Sequence, residues 1–256
     1  MRNNDLPYTG ITELDNNSQW LPRYNRDTAR LMASSSIKEI QKPCNSLITN
    51  RVRIKILDFG AGIGTLTLEM AKLFEHCEFI CIEPDNRLRA RIPEWAISAP
   101  SIQPDIIGQI DFAFSSNVLE HIEDDVEALR KLGETLNEDG KIAIYVPALL
   151  MLWTRMDDKV GHFRRYTLES LTRTARLAGL NVDKIAYVDS MGALATLIYK
   201  IQESLTHSRS YRAPSASMLR LFDNIIWPLS LLLDRVTGKI FGKNLIMFAS
   251  KPKNVK

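Results

Sequence analysis

The stretch KILDFGAGIGTLTLEMAKL, Lys55 to Leu73, constrains the fold more tightly than any other part of the chain. Lys-Ile-Leu-Asp-Phe is an apolar run without alternation, the pattern of a buried strand. Gly60, Gly62 and Gly64 follow at single-residue spacing, and helical periodicity then sets in, with Leu66, Met70 and Leu73 on one face. A strand that turns through glycines into a helix belongs to a parallel sheet with right-handed crossovers. In such sheets ligands bind beyond the carboxyl ends of the strands, where bare backbone can approach them closely. Asp58, two residues ahead of Gly60, sets a carboxyl group beside that turn.

The same alternation runs on. EFICIE (78–83) reads as a second strand and PDNRLRARI as the helix after it, with Pro and Asp in its first positions. A short third strand is expected near Trp95 to Ser98, a clearer one over Ile110 to Ser116, and a helix from about Asp124 to Leu136. NEDG reads as a turn, KIAIYVP as a strand, and MDDKVGHFRRY as a loop. Thr167 is the expected N-cap of a helix reaching about Ala178, with Glu169 in its first turn, and NVDKIAYV is a further strand. After Ser190 the pattern turns helical, interrupted by HSRSYRAPSAS, before a final strand KNLIMFASK. These readings predict a doubly wound α/β fold with a mostly parallel seven-stranded sheet and a helical insertion before the last strand. The whole of 1–256 is expected to be one domain: a polar tail (1–20), an N-terminal lid helix (21–42), a core (53–190), the insertion (191–242) and the final strand (243–251).

Composition narrows the function. The balance of 33 Lys and Arg against 30 Asp and Glu gives +3, too small an excess to point to nucleic acid. Cys44, Cys77 and Cys81 form no CxxC pair, so neither a disulfide framework nor a metal site is expected, and a reducing compartment is the default. The start lacks the apolar core of a signal peptide, and no run approaches the roughly 18 apolar residues of a spanning helix. The nearest, IIWPLSLLL (225–233), is broken by Pro228. The expected location is cytoplasmic.

The glycines discriminate among ligands. A dinucleotide turn reads GxGxxG, whereas Thr65 stands where its third glycine would fall, and no GK[ST] follows to make a phosphate loop. Asp58 would repel a pyrophosphate and attract a cation, and Glu83, ending the second strand, stands where an acid accepts hydrogen bonds from ribose hydroxyls. A ribose, no phosphate and a positive charge describe S-adenosyl-L-methionine.

On these motifs the chain resembles the class I S-adenosylmethionine-dependent methyltransferases. ILDFGAGIGTLT is similar to the family's first motif, CIEPD to its second, SSNVLEHIEDD to the segment after the fourth strand, and LNEDGKIAIYVPA to the approach to the fifth. GHFRRYTLESL resembles a signature of one branch, and RYN at Tyr24 that branch's N-terminal helix. The resemblance implies that Asp58 and the backbone of Gly60, Ala61, Gly62 and Gly64 hold the methionine end of the cofactor. It implies that Glu83, with Pro84, holds the ribose, and that Asn117 and Val118 lie beneath the cofactor near the sulfonium. The family's acid or amide after the third strand is missing, and only Ser98 or Ser101 is near to meet the adenine.

For the acceptor, a hydroxyl would need a general base, whereas an amine or thiolate would not. His162 is the preferred base and His121 the second candidate, because histidine titrates near neutral pH. The opposing reading is that GHFRRY braces the fold, with His162 bonded to Asp157. Arg164 and Arg165, with Tyr24 and Tyr166, are candidates for holding the acceptor, one arginine by a bidentate contact. In the insertion, Leu219, Phe222, Ile226, Leu229 and Leu233 lie at helical spacing, with Pro228 expected to kink or divide the helix. The stripe reads either as a cap over the pocket or, with Arg220, Arg235, Lys239 and Lys243, as a peripheral membrane contact through 215–243. The branch resemblance implies a saccharide- or lipid-linked acceptor, against a plain small molecule. A cofactor-binding protein without catalysis and a nicotinamide-dependent oxidoreductase are the competing classes.

Overall fold

A computed structural model describes residue 19 and residues 21–34, 54–206 and 215–252. The strands are β1 (Lys55–Phe59), β2 (Glu78–Ile82), β3 (Ile97–Ala99), β4 (Ile110–Ser116), β5 (Leu136–Pro147), β6 (Asn181–Val188) and β7 (Asn244–Ser250). They form one seven-stranded sheet in the order β3-β2-β1-β4-β5-β7-β6. All pairs are parallel except those of β7, which runs antiparallel between β5 and β6. The order reverses between β1 and β4, and that switch point is where such a sheet opens a crevice.

Helices α1 (Pro22–Ala33), α2 (Thr65–Ala71), α3 (Asn86–Arg89), α4 (Asp125–Thr135), α5 (Arg155–Lys159), α6 (Leu168–Leu177) and α7 (Ser190–Thr206) surround the sheet, followed by α8 (Ala216–Leu221) and α9 (Trp227–Thr237). Successive strand residues point to opposite faces, so the central strands must be apolar on both. Leu57, Ala113 and Ile142 pack against Leu129, Leu132 and Leu171 on one side. Ile56, Phe112 and Phe114 pack against Met32 and Met70 on the other. That double burial explains why β1 and β4 read as unbroken apolar runs.

Several boundaries depart from the sequence reading. The third strand begins at Ile97 rather than Trp95, because the Trp95 ring turns onto Phe79, edge to face at 5.7 Å. NEDG lies inside β5, whose register with β4 shifts between Ile110 and Phe112. Within MDDKVG, Thr154 and Asp157 form a capping box that starts α5, so this loop contains a helical turn. The lid helix ends at Ala33, and positions 35–42 of its expected span lie outside the described residues, as does the tail apart from residue 19.

Pro228 does not divide the insertion helix. A π turn at Phe222–Ile226 joins α8 to α9, giving a continuous helix over Ala216–Thr237. Widening the turn removes the clash a proline ring makes with the carbonyl four residues back, and the Asn224 carbonyl accepts from Arg23 Nη1 at 3.4 Å instead. The extra residue in the turn also rotates the buried face. Asp223, Trp227 and Ser230 are buried, while Leu229 and Leu233 of the expected inner stripe are 45% and 41% exposed. The Asp223 carboxylate caps α1, accepting from the N–H groups of Tyr24 (2.7 Å) and Arg23 (3.1 Å). Trp227 Nε1 donates to Asp27 at 3.3 Å, so the insertion holds the N-terminal helix at both turns.

Candidate active site

The glycine turn hangs on the end of β2. The N–H groups of Gly60 and Ala61 both donate to the Ile82 carbonyl, at 2.8 and 3.0 Å. Gly60 has φ +79, and a Cβ there would stand 2.2 Å from Val118 Cγ2, so the close packing of the β4 loop demands glycine. Asn117, the residue before Val118, is left-handed (φ +53), with its N–H on the Tyr145 carbonyl at 2.8 Å.

The acids behave differently from one another. Glu83 braces the turn: its Oε2 accepts from Gly62 N–H and its Oε1 from Asp85 N–H, both at 2.9 Å, and burial pushes its carboxyl up. Asp58 accepts the Thr67 hydroxyl at 2.5 Å. Burial pushes Asp58 up to about 7 against that hydrogen bond, with the Glu83 charge adding to the rise. A buried carboxyl held so near neutrality favours a cation beside it.

A cleft of about 1990 Å³ runs from this turn along the carboxyl edge of the sheet. Asp58, Gly60, Ala61, Gly62, Glu83, Pro84, Asn117 and Val118 all line it, as does Tyr24 from α1. Gly64 does not. It precedes α2 in a left-handed conformation, and a Cβ there would meet Pro93 Cδ at 2.9 Å, so it is a packing glycine. Ser101 lines the cleft, with Ile102 and Gln103, and Ser98 does not.

At the other end stand Glu120, His121 and His162. Phe163 N–H donates to the Glu120 carbonyl at 2.8 Å, which draws the loop after β5 onto the short helical turn Leu119–His121. His162 Nδ1 lies 2.8 Å from Asp157 Oδ1. Asp157 also takes Arg165 Nε at 2.8 Å, Arg165 Nη2 at 3.1 Å and the N–H of Thr154 at 2.8 Å. His162 and Arg165 outweigh the burial that opposes them and hold this carboxyl far below the usual range. An ionised Asp157 favours the tautomer with the proton on Nδ1, which leaves Nε2 3.9 Å from Glu120 Oε1. The His121 and His162 rings meet edge to face at 4.6 Å. Burial, and next the neighbouring His162, lower His121 to about 4. Glu120 is fully buried, and both its carboxylate oxygens lack a hydrogen-bond partner among the described residues. Burial pushes it up to about 8.

Two expected acceptor residues are elsewhere. Tyr166 is 2% exposed and donates to Asp125 Oδ2 at 2.8 Å, on the sheet's α4 side. Arg164 is occupied by the Glu123 carbonyl (2.6 Å) and by Asp125 Oδ1 (2.9 Å). Neither lines the cleft. Arg165 does, but its fork is spent on Asp157. The tandem arginines reach different carboxylates, Arg164 to Asp125 and Arg165 to Asp157, and both brace the loop. Sequence reasoning passed over Glu120, although it sits beside His121, because its isolation from other polar groups depends on packing.

The open order 3-2-1-4-5-7-6, the bare turn and the two crevice carboxyls define a nucleoside-binding domain suited to a cationic ligand. The Asp58 carboxyl beside the turn would repel a pyrophosphate and attract a cation, so the donor set fits S-adenosylmethionine better than a dinucleotide. The sequence pattern of the methyltransferase domain matches residues 24–185. The chain belongs to that family: it is an S-adenosylmethionine-dependent methyltransferase domain. Trans-aconitate 2-methyltransferase of Deinococcus radiodurans is 26% identical over 108 residues, 40% of this chain and 42% of that protein. The chain thus matches less than half the length of this curated relative. Among solved structures, a methyltransferase of Archaeoglobus fulgidus aligns with a TM-score of 0.53 at 17% identity, covering 88% of this chain and 94% of its own. The [4+2]-cyclase SpnF aligns at 0.55 and 15% identity, covering 90% and 81%. Both likenesses are of fold.

Proposed function

We propose that the protein transfers a methyl group from S-adenosylmethionine to a hydroxyl oxygen of a lipid- or saccharide-linked acceptor at a membrane surface, on the cytoplasmic side. The observation that carries this reading is one continuous cleft. It joins the carboxyl-flanked glycine turn to the Asp157-held His162, and it is walled by a helix turned apolar side out. Met218, Leu219 and Phe222 of that helix line the cleft, while Leu221, Ile225, Leu232, Val236 and Ile240 face outward, Val236 at 80% exposure. The outward stripe is wholly apolar while the buried positions include Asp223 and Ser230 beside Trp227, which departs from the pattern of an ordinary surface helix. The helix over Ala216–Thr237 has a mean hydropathy of 1.3 in a window that is 17% buried, so length and composition alone would also let it span. With Arg235 and Lys239 exposed beside the stripe, a helix lying in an anionic interface explains the departure.

The cofactor supplies a methyl already activated on a sulfonium. The acceptor oxygen forms the new bond to carbon as the carbon–sulfur bond breaks, the electron pair leaves with sulfur, and the hydroxyl proton must leave the oxygen. Glu83 and Asp58 hold the cationic nucleoside, Asn117 and Val118 form the floor, and Tyr24 closes the lid side. Alignment of this kind is worth about 7–11 kcal/mol in favourable cases. The proton leaves at the Glu120–His121–His162 end, where His162 lines the cleft.

Methyl-labelled cofactor incubated with the protein and fractionated cell extract tests the reading. Label is expected in the organic phase, as an alkali-stable ether. Label confined to amine-containing products, or none in any fraction while the cofactor binds, would overturn it in favour of nitrogen transfer or of binding without catalysis.

A further inference from the structure

We propose that Glu120, His121 and His162 form a binding site for a divalent cation of the zinc type, at the acceptor end of the cleft. One ligand atom from each residue can be chosen so that all three lie within 4.8 Å of one another. Tetrahedral coordination at the usual zinc–nitrogen and zinc–oxygen lengths sets ligand atoms roughly 3.3 Å apart. His162 Nε2 and Glu120 Oε1, at 3.9 Å, need only a small rotamer adjustment to reach that spacing.

The independent observation is Glu120. A fully buried carboxylate whose two oxygens both lack a hydrogen-bond partner is rare in a folded protein and costs several kcal/mol if ionised. Its Oε1 lies 3.9 Å from His162 Nε2, and its own backbone N–H and Arg165 offset only part of the cost of burial, so a cation would satisfy it more fully. The surroundings are those of a built site. Metal-ligating histidines hand their second nitrogen to a carboxylate or carbonyl, which fixes the tautomer. His162 Nδ1 does so to Asp157 at 2.8 Å, and Asp157 is itself fixed by Arg165 and Thr154. His121 has hydrogen bonds to the backbone at Gly161 and Val160.

Two imidazoles and one carboxylate select a borderline cation over magnesium or calcium, which prefer oxygen. Three protein ligands leave a coordination position open, as in catalytic rather than structural sites. All three residues line the cleft, so an acceptor hydroxyl entering it would be able to take that position, and the cation would ease loss of its proton. His162 is then a ligand and not itself the base. This role rests on the oxygen-acceptor reading, whereas the existence of the site does not. The sequence offered no sign of it, because cysteine spacing is absent and Glu120 and His162 are distant in the chain.

The test uses the untagged full chain, stripped with a chelator and titrated with Zn²⁺ by calorimetry and with Co²⁺ by visible absorption. One equivalent of Zn²⁺ is expected to bind with Kd below about 1 μM, and Co²⁺ should develop the d–d bands of a low-coordinate site. Since loss of an outer partner alone costs 10–100-fold in metal affinity, Glu120→Gln and His162→Ala should each weaken binding by about 100-fold or more. S-Adenosylmethionine affinity should change little in both. The absence of saturable Zn²⁺ binding to the wild-type chain, a featureless Co²⁺ spectrum, or wild-type affinity in a folded Glu120→Gln variant would overturn the site. The wild-type measurements stand even if a variant fails to fold. Metal binding without labelled ether would sink the acceptor reading and keep the site, and the converse result would do the reverse.

Discussion

The two ends of the cleft are built from different materials. The cofactor end is backbone: Gly60 and Ala61 are pinned to Ile82, and Glu83 to the N–H groups of Gly62 and Asp85. The acceptor end is side chain: charges and rings from the loops after β4 and β5 meet there, and one carboxylate, Asp157, serves four donors from two residues, Thr154 and Arg165, besides the His162 ring. The turn at the cofactor end depends first on shape, and the acceptor end depends first on charge. Variants that respect this contrast sharpen it, and variants that violate it break it.

Asp157→Asn should have the largest effect. Replacing the charge leaves Arg165, only 7% exposed at its side chain, without its ion pair. Breaking a buried pair by removing one partner costs about 3–5 kcal/mol, and chemical denaturation of the variant should show a loss of that order. Here the effect is of charge at nearly constant shape. A loss below about 1 kcal/mol would mean that Arg165 finds another partner, and that the loop does not depend on the carboxylate.

Gly60→Ala makes the opposite change, shape without charge. A Cβ 2.2 Å from Val118 Cγ2, at φ +79, combines overpacking with backbone strain, together about 2–3 kcal/mol. Cofactor binding, read by calorimetry, should fall by roughly 30- to 150-fold if that cost falls on the bound state. Adding Val118→Ala should recover part of the stability, since it removes the clash but not the strained φ. Full recovery would show that strain at Gly60 is negligible.

This contrast also governs what could be read from the chain. Backbone sites write themselves into sequence, because glycine at Gly60 and Gly62 and the alternation of strand and helix are local requirements. Hence the sheet, its helices and the glycine turn were legible, and the cleft beside that turn is lined by Asp58 and Glu83. The acceptor end was legible only where its contacts are local, as between His162 and Asp157 five residues apart, whereas the meeting of Glu120 with His162 and Phe163 spans 40 or more residues. Glu120 looks like any helix-turn acid until burial strips it of donors. Tyr166 looks like a substrate contact until its hydroxyl is found on Asp125, 41 residues away. The insertion failed for a third reason: a π turn shifts the face by one residue, and no periodicity scan assumes an i→i+5 step.

Asp58 supplies a subtler, pH-dependent test at the cofactor end. Its carboxyl is raised to about 7 from an ordinary 3.8. The folded protein therefore holds a proton there that the unfolded chain has lost. This group's contribution to stability is complete below about pH 4 and is lost as pH rises to about 7. A cationic ligand favours the ionised form, so cofactor affinity should rise roughly tenfold between pH 5.5 and 7 before levelling. Asp58→Asn should flatten both profiles relative to wild type. An unchanged slope in the variant would mean that another group near the turn carries the linkage.

The smallest effect belongs to Tyr166, and it separates bracing from recognition. Tyr166→Phe removes one buried hydroxyl and leaves Asp125 with Thr174 at 3.4 Å and the Arg164 ion pair at 2.9 Å. Because the other acceptor contacts persist, the cost should be about 1–1.5 kcal/mol of stability. Cofactor affinity and the acceptor KM should stay within about twofold, since 1.4 kcal/mol is needed to move either tenfold. If the acceptor KM rose tenfold while stability held, the ring would be reaching the acceptor, and the division of the GHFRRY loop into bracing Tyr166 and cleft-facing His162 would fail.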